Sequence, residues 1–459
     1  MMFTRSRRPR TAYPLFLIAL FVLLVASGCE TDGTDAVRSG SQVTAEVVHE
    51  ALQRHVLGAW YPRVVDADYG GYLSDFAYDW RPDGPQDKFI VTQARHVWTL
   101  ARAAEFEPDR RETYLGYAAQ GVDFLRDHMW DAEQGGFVPL VTRDGTPRGG
   151  ENGFTQRKTA YGNAFGVYGL AAYADVSGEA SALRFAQDAF TWMEEHLHDP
   201  EHGGYFQFVD ADGAPIRDGS AGRPPKDQNS SIHVLEALTE LYGVWPDPLV
   251  RERLEEMLTI VRDTIVGEPP YLRLFFQADW TPVSFADSSR AAIEEHIGLD
   301  HVSFGHDVET AFLMLEAARA LEQDPAPTLD VGKRMVDHAL DHGWDEDVGG
   351  IFDGAYYFDA TPEIVLDGKA WWAQVEMMNT MLLMADLYPD DERDYMSRFE
   401  DMWQYIEEYL IDHDYGGVYA GGLDREPEAE TAPKGNIWKA GYHDGRALMH
   451  VTERLRSRE

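Results

Sequence analysis

The chain has 459 residues and carries 79 Asp and Glu against 40 Lys and Arg, a formal charge of −39. A surface this acidic repels phosphate, which argues against nucleic acid as a partner. At 44% hydrophobic and 12% aromatic the chain can bury a large core, which excludes wholesale disorder. Lysine is confined to positions 88, 158, 226, 333, 369, 434 and 439, so basic charge is mostly Arg. Many carboxylates with few Lys fit a salt-adapted protein, because dense surface charge is tolerable when screened, or an ordinary acidic secreted enzyme.

In chain order, residues 1–28 read as an address rather than as fold. Arg5, Arg7, Arg8 and Arg10 form a basic start, and an apolar run from Tyr13 to Ala26 follows, too short for a comfortable membrane span. Ala26-Ser27-Gly28 then precede Cys29, the only cysteine. Small residues before a lone cysteine resemble a bacterial lipoprotein cleavage site. Residues 1–28 are therefore expected to be a lipoprotein signal peptide, with lipid on Cys29 and a flexible tether over 29–42. The expected location is exported and membrane-anchored, on the periplasmic or cell-surface side. The membrane is met only through that anchor, and the mature protein is expected to be a monomer.

From residue 43 a repeat of about 70 residues governs the chain. A Gly-Gly turn with acidic residues before it and an apolar or aromatic residue after it recurs. The copies are Asp66 to Tyr72, Asp131 to Phe137, Asp199 to Tyr205, Asp345 to Ile351 and Asp412 to Val418. The gap between the third and fourth copies is two periods long, so a degenerate sixth copy is expected near Glu268–Pro282. An Asp-x-Asp-x-Gly start suggests a calcium loop, but Ala77 stands where such a loop needs its twelfth-position Glu. Tight turns into short strands are the better reading.

Two helices accompany each turn. One set, over 43–61, 111–129, 180–197, 248–265, 329–342 and 392–411, has one apolar stripe and many charges. The other set, over 92–105, 161–173, 230–242, 308–321, 371–387 and 442–455, is apolar around most of its circumference, as buried helices are. Six such pairs predict an all-α fold, an (α/α)6 barrel with short β-hairpin turns, forming a single domain over 43–459. An open helical solenoid is the alternative.

The unusual polar residues recur once per repeat, at or just inside the starts of the buried helices. They are Arg95, Tyr161 with Asn163, Asn229 with His233, His306 with Glu309, Trp371 and Trp372 with Glu376, and His443 with Arg446. Equivalent positions on one ring converge on one cleft. His306 and Glu309 are three apart, so the carboxylate is placed to orient the imidazole or raise its basicity. Trp371, Trp372, Trp438 and Tyr442 add flat faces that suit a sugar ring. Of the adjacent tryptophans, one is expected in the core and one in the site. His49, His196, His198 and His338 fall on outer helices or turns, where solvation is expected, and Met377, Met378, Met381 and Met384 read as core. The chain has no HExxH, no Walker A loop and no GxGxxG opening a helix, so neither metal nor cofactor is expected.

These stretches resemble the N-acylglucosamine 2-epimerase superfamily, and within it the cellobiose 2-epimerase branch. They are Gln93 to Trp98, Tyr161 to Phe165, Asn229 to Ala237, Gly305 to Ala311, Lys369 to Glu376 and Trp438 to Ala447, in order and one per repeat. The resemblance implies an (α/α)6 barrel and an isomerase inverting C2 at the reducing end of a β-1,4 disaccharide. It implies that His306 and His443 are the acid/base pair, and that His233 and Asn229 assist ring opening or bind hydroxyls. Arg95 would stabilise the enediolate, Glu309 would support His306, and Trp372 and Trp438 would hold the sugars; Tyr161, Trp371 and Glu376 complete the expected substrate-binding set. The chemistry is coherent. Imidazoles titrate near neutrality and can stand on both faces of the carbon, and a fixed cation can stabilise the oxyanion at O1. An aldose–ketose isomerase shares the enediolate and is the first alternative. An inverting glycoside hydrolase would need two flanking carboxylates, for which Glu309 and Glu376 are candidates. A sugar-binding lipoprotein without activity is the last.

Overall fold

The computed structural model describes residues 43–148, 157–210, 213–220 and 222–459. The signal peptide, Cys29 and the tether lie outside the described residues. Among those described, twelve long helices alternate outer and inner. The outer ones are α1 (Ala45–Ala51, running on through a wider turn at Leu52–Leu57), α3 (Arg111–Phe124), α5 (Ala180–His196), α7 (Pro248–Ile260), α9 (Ala326–Gly343) and α11 (Tyr395–Tyr409). The inner ones are α2 (Ile90–Phe106), α4 (Ala160–Ser177), α6 (Gln228–Val244), α8 (Phe304–Ala320), α10 (Trp371–Leu387) and α12 (Tyr442–Arg458).

Each inner helix packs on the next, and α12 packs back on α2, so the ring closes. The outer seam closes as well, because α1 lies against α12. This is the expected (α/α)6 barrel, not an open solenoid. The packing explains the composition of the inner ring. A Cβ on Gly169 of α4 would sit 2.7 Å from the Ala94 carbonyl of α2, so only glycine lets these two helices approach so closely. Met377, Met378, Met381 and Met384 are fully buried core, as expected. His338 is not solvated: it is buried, with Nε2 2.7 Å from Tyr357 Oη.

The Gly-Gly turns are built alike. In the first, Gly70 N–H donates to Asp66 O, and Asp66 N–H to Gly71 O, at 2.8 and 3.0 Å. Both glycines have positive φ, at 76° and 63°. The leading Asp does not await a calcium ion: Asp66 Oδ1 accepts the amides of Asp68 and Tyr69, and Oδ2 accepts Lys88 Nζ at 3.0 Å. The same lysine clamp recurs as Lys158 on Asp131, Lys226 on Asp199, Lys369 on Asp345 and Lys434 on Asp412. Most of the chain's few lysines are therefore turn fasteners. The degenerate copy is the bridge Val266–Leu272, where Pro269-Pro270 replace the glycines. There Val302 occupies the strand position held by Lys88 and Lys226 elsewhere.

Lys226 and Asp199 are both fully buried and 2.7 Å apart. Burial pushes the Asp199 carboxyl up, but Lys226 and the turn amides overcome this and hold it below the ordinary carboxylate value. That contribution is complete above the unfolded pKa and is lost as pH falls through the lower folded one. Lys226→Met is expected to cost about 3–5 kcal/mol, because it strands a buried carboxylate. A lower urea midpoint at neutral pH checks this, and the double variant Lys226→Met/Asp199→Asn should recover part of the loss.

Candidate active site

The inner helices all present their N-terminal turns to the same end of the ring. Arg95, Tyr161, Asn229, His233, His306, Glu309, Trp371, Trp372, Trp438 and His443 line one cavity of about 210 Å3 there. Of the expected catalytic and substrate-binding residues, all but Glu376 line this cavity, and Glu376 bonds to one of the lining imidazoles. Both tryptophans of the pair line the cavity and both pack against the core behind it, so the pair does not divide between core and site as expected. Adjacent residues at the very start of a helix can flank one opening. Trp438 stands half-exposed, 4.7 Å from the Phe89 ring.

Two imidazoles share one indole: His306 lies 4.7 Å and His443 5.7 Å from Trp372, ring centre to ring centre. His443 Nδ1–H donates to Glu376 Oε1 at 2.7 Å, which leaves Nε2 as the free nitrogen. A third ring, His233, donates from Nδ1 to Glu236 Oε2 at 2.8 Å and packs against Phe165 and Tyr161. Arg95 Nη2 donates to Tyr161 Oη at 3.2 Å, and its guanidinium lies over the rings of Phe165 and Tyr442. It is a fixed cation at the cavity wall.

The floor is a buried charge cluster. Arg446 donates to Glu309 and Glu376, each at 2.5 Å, and also to Glu236 and to Tyr442 Oη. One guanidinium therefore serves three carboxylates. Burial pushes the Glu236 carboxyl up, but Arg446 and the His233 and Tyr442 hydrogen bonds hold it down at about 2. Burial keeps the Glu376 carboxyl above its ordinary value despite Arg446. Burial also lowers the two imidazoles beside Trp372, His306 to about 4 and His443 well below its ordinary range, with Arg95 adding to the effect on His443 and Glu309 opposing it on both. Both rings therefore rest as neutral bases.

The partner of Glu309 differs from expectation. It makes no hydrogen bond to His306; it takes Arg446 and lies 3.8 Å from His443 Nδ1. His306 is oriented instead by Ser303 Oγ, 2.8 Å from its Nδ1, and Glu309 acts on it through charge alone. Asn163 does not join the site, because its Oδ1 accepts the Phe137 amide and so fastens a turn. Gln93, Asp307 and Gln374 do the same for other turns. Three functional groups escaped the sequence reading: Glu236, Ser303 and the hub role of Arg446. Glu236 carried a signal, since it follows His233 by three residues just as Glu309 follows His306. Glu309, Glu376 and His443 bring three possible metal-ligand atoms within 4.8 Å of one another. Arg446 already bridges the two carboxylates and His443 Nδ1 is engaged by one of them, so guanidinium supplies the positive charge at that point.

The N-acylglucosamine 2-epimerase (GlcNAc 2-epimerase) family model matches residues 71–445. Cellobiose 2-epimerase of Dictyoglomus turgidum is 24% identical over 428 residues, covering 90% of this chain and 99% of that one. Cellobiose 2-epimerase of Bacteroides fragilis is 26% identical over 421 residues, covering 89% and 99%. Among solved structures, cellobiose 2-epimerase from Spirochaeta thermophila superposes with a TM-score of 0.75 at 29% identity, covering 90% of this chain and 96% of that one.

Proposed function

The chain belongs to the N-acylglucosamine 2-epimerase family, and we propose that it inverts C2 at the reducing end of a β-1,4-linked disaccharide of the cellobiose or mannobiose type. The observation that carries this reading is the pair His306 and His443, two imidazoles beside one indole in the lining of a single cavity. The relatives named as cellobiose 2-epimerases support the choice of a disaccharide.

The residues divide the work as follows. His233 and Asn229 sit on one face of α6 and handle ring opening, with Glu236 fixing the His233 tautomer. One of the two facing imidazoles takes the C2 proton, and the bond electrons move into the enediolate as O1 becomes anionic. Arg95, held by Tyr161 and two aromatic faces, stabilises that oxyanion. The other imidazole, which takes up one proton from solvent before the step, gives it to C2 from the opposite face and returns to neutral, and ring closure reverses the opening. Glu236, Glu309 and Glu376 against Arg95 and Arg446 leave one negative charge, which a single imidazolium neutralises. The trio of carboxylates thus makes the charged intermediate state affordable in a buried site.

Incubation with cellobiose in D2O tests the reading. Glucosyl-mannose carrying deuterium at C2 is the expected product. A ketose product would replace epimerase by isomerase, released monosaccharide would replace it by hydrolase, and binding without exchange would remove catalysis altogether. We further propose that the chain acts as a monomer carried on a membrane by lipid at Cys29; palmitate labelling that persists in Cys29→Ser would overturn the anchor.

A further inference from the structure

One turn of the six is fastened differently. At the Pro269-Pro270 turn Val302 stands at the strand position of Lys88 and Lys226, so the lysine clamp is missing there. In the other turns the lysine also lies over a ring: Lys88 Nζ is 4.3 Å from the centre of Phe124, and Lys226 Nζ 4.6 Å from that of Trp280. Here the cation over a ring is Arg273, its guanidinium 4.1 Å from the centre of Tyr271. The lysines end on a carboxylate. Arg273 donates from Nη2 to the Glu268 carbonyl at 2.9 Å and, among the described residues, forms no ion pair.

A cavity of about 520 Å3 lies beside this guanidinium, within the ordinary range of a small-molecule site, about 300–1,000 Å3. It shares no lining residue with the catalytic cavity. Successive residues of a strand point to opposite faces. Val302 lines this chamber, while Ser303, next in the strand, holds His306. The walls are fixed. Asp300 Oδ2 accepts the hydroxyls of Ser284 and Tyr356, each at 3.1 Å, and the Phe285 amide at 2.7 Å. One carboxylate thus ties the 284–285 segment to the strand Gly354–Tyr356. Tyr271 and Tyr357 lie nearly parallel, 12° apart in plane and 5.7 Å between centres, and supply the apolar part of the wall.

The polar groups of the chamber are of both kinds. Arg273 supplies donors. Asp300 Oδ1, which takes none of the three bonds above, and the Asp359 carboxylate supply acceptors. So does His301 Nε2, because Nδ1–H donates to the Ile297 carbonyl at 2.6 Å. An anion would meet two carboxylates, and a cation would meet the guanidinium. A neutral ligand dense in hydroxyls satisfies both walls, since each hydroxyl donates one proton and accepts others. The tyrosines suit the C–H surface of a sugar ring. We propose that this chamber is a second, non-catalytic carbohydrate site that takes one neutral pyranose unit between the Arg273 guanidinium and the Asp300 carboxylate.

Equilibrium dialysis with radiolabelled methyl β-cellobioside tests the proposal, because a sugar blocked at C1 cannot open and is not turned over. Ala360 is exposed, lines the chamber and stands outside the catalytic cavity. Ala360→Trp is expected to fill the chamber and to bind one sugar fewer per chain than wild type, while kcat/KM for cellobiose and the thermal midpoint hold. Arg273→Gln should weaken the same site about tenfold, as loss of hydrogen bonds from a charged group does. Equal counts in wild type and Ala360→Trp overturn the proposal. A count that falls together with kcat/KM also overturns it, since the lost sugar is then the one in the catalytic cavity. Loss of bound sulfate or methyl β-glucuronide in Ala360→Trp with no loss of neutral sugar marks an anion site and overturns it too. The count needs no turnover: a wild-type protein that fills the chamber but makes no epimer overturns the epimerase reading alone.

Discussion

His306→Ala and His443→Asn are each expected to lower kcat for epimerisation by about 10²–10⁴-fold, the range for loss of a general acid or base. The thermal midpoint should hardly change. His306 borders an open cavity, and Asn at 443 keeps a donor for Glu376. The sharper expectation concerns exchange. Each imidazole serves one face of C2, so each variant should still wash the C2 proton of one epimer into D2O and lose that ability with the other. The two variants should be complementary. If both lose exchange with the same epimer, one base serves both faces and the two-imidazole assignment fails.

Arg446→Met is expected to be the most damaging single change to stability. It leaves Glu236, Glu309 and Glu376 buried without their shared cation, and breaking such a network costs about 3–5 kcal/mol. Arg446→Lys should rescue little, because one ammonium cannot serve three carboxylates in different directions. The pH dependence gives the sign. Without the guanidinium, burial is left to raise the Glu236 and Glu376 carboxyls in the folded state. Stability is then fully present below the unfolded pKa and is lost as pH rises through the folded values. The variant should gain in urea midpoint as pH is lowered from about 8 towards 5. A wild-type-like midpoint at neutral pH, or a gain on raising pH, would show that the cluster is not held by Arg446.

The architecture was legible because its signals are local and repeated. A Gly-Gly pair needs positive φ wherever the turn recurs, and a helix buried on all sides must be apolar all round. Site membership was legible for the same reason: equivalent positions on a closed ring meet. Partner choice was not. Spacing of three residues puts Glu309 on the face of His306, but cannot tell that Arg446 from another helix comes nearer. Ser303, one residue before α8, carries no helical periodicity at all. The lysine clamps join residues 22 to 27 apart across a turn, beyond the reach of any helical or strand period. The Pro-Pro turn was placed only by counting, since it lacks the glycines that mark its siblings.

The seam between α1 and α12 bears on how the molecule comes to exist. His443 and Arg446 lie on α12, which closes the ring by packing against both α1 and α2. A nascent chain lacking it would gather three carboxylates in one place with nothing to neutralise them. Closing the ring and neutralising its floor are therefore one and the same contact, made by Arg446 of α12 with Glu236, Glu309 and Glu376. Arg456 Nη2 reaches to 3.2 Å from His49 Nδ1, so the two ends of the domain touch. Joining them and opening the loop between any other two repeats would move the birth order of the helices without altering the finished ring.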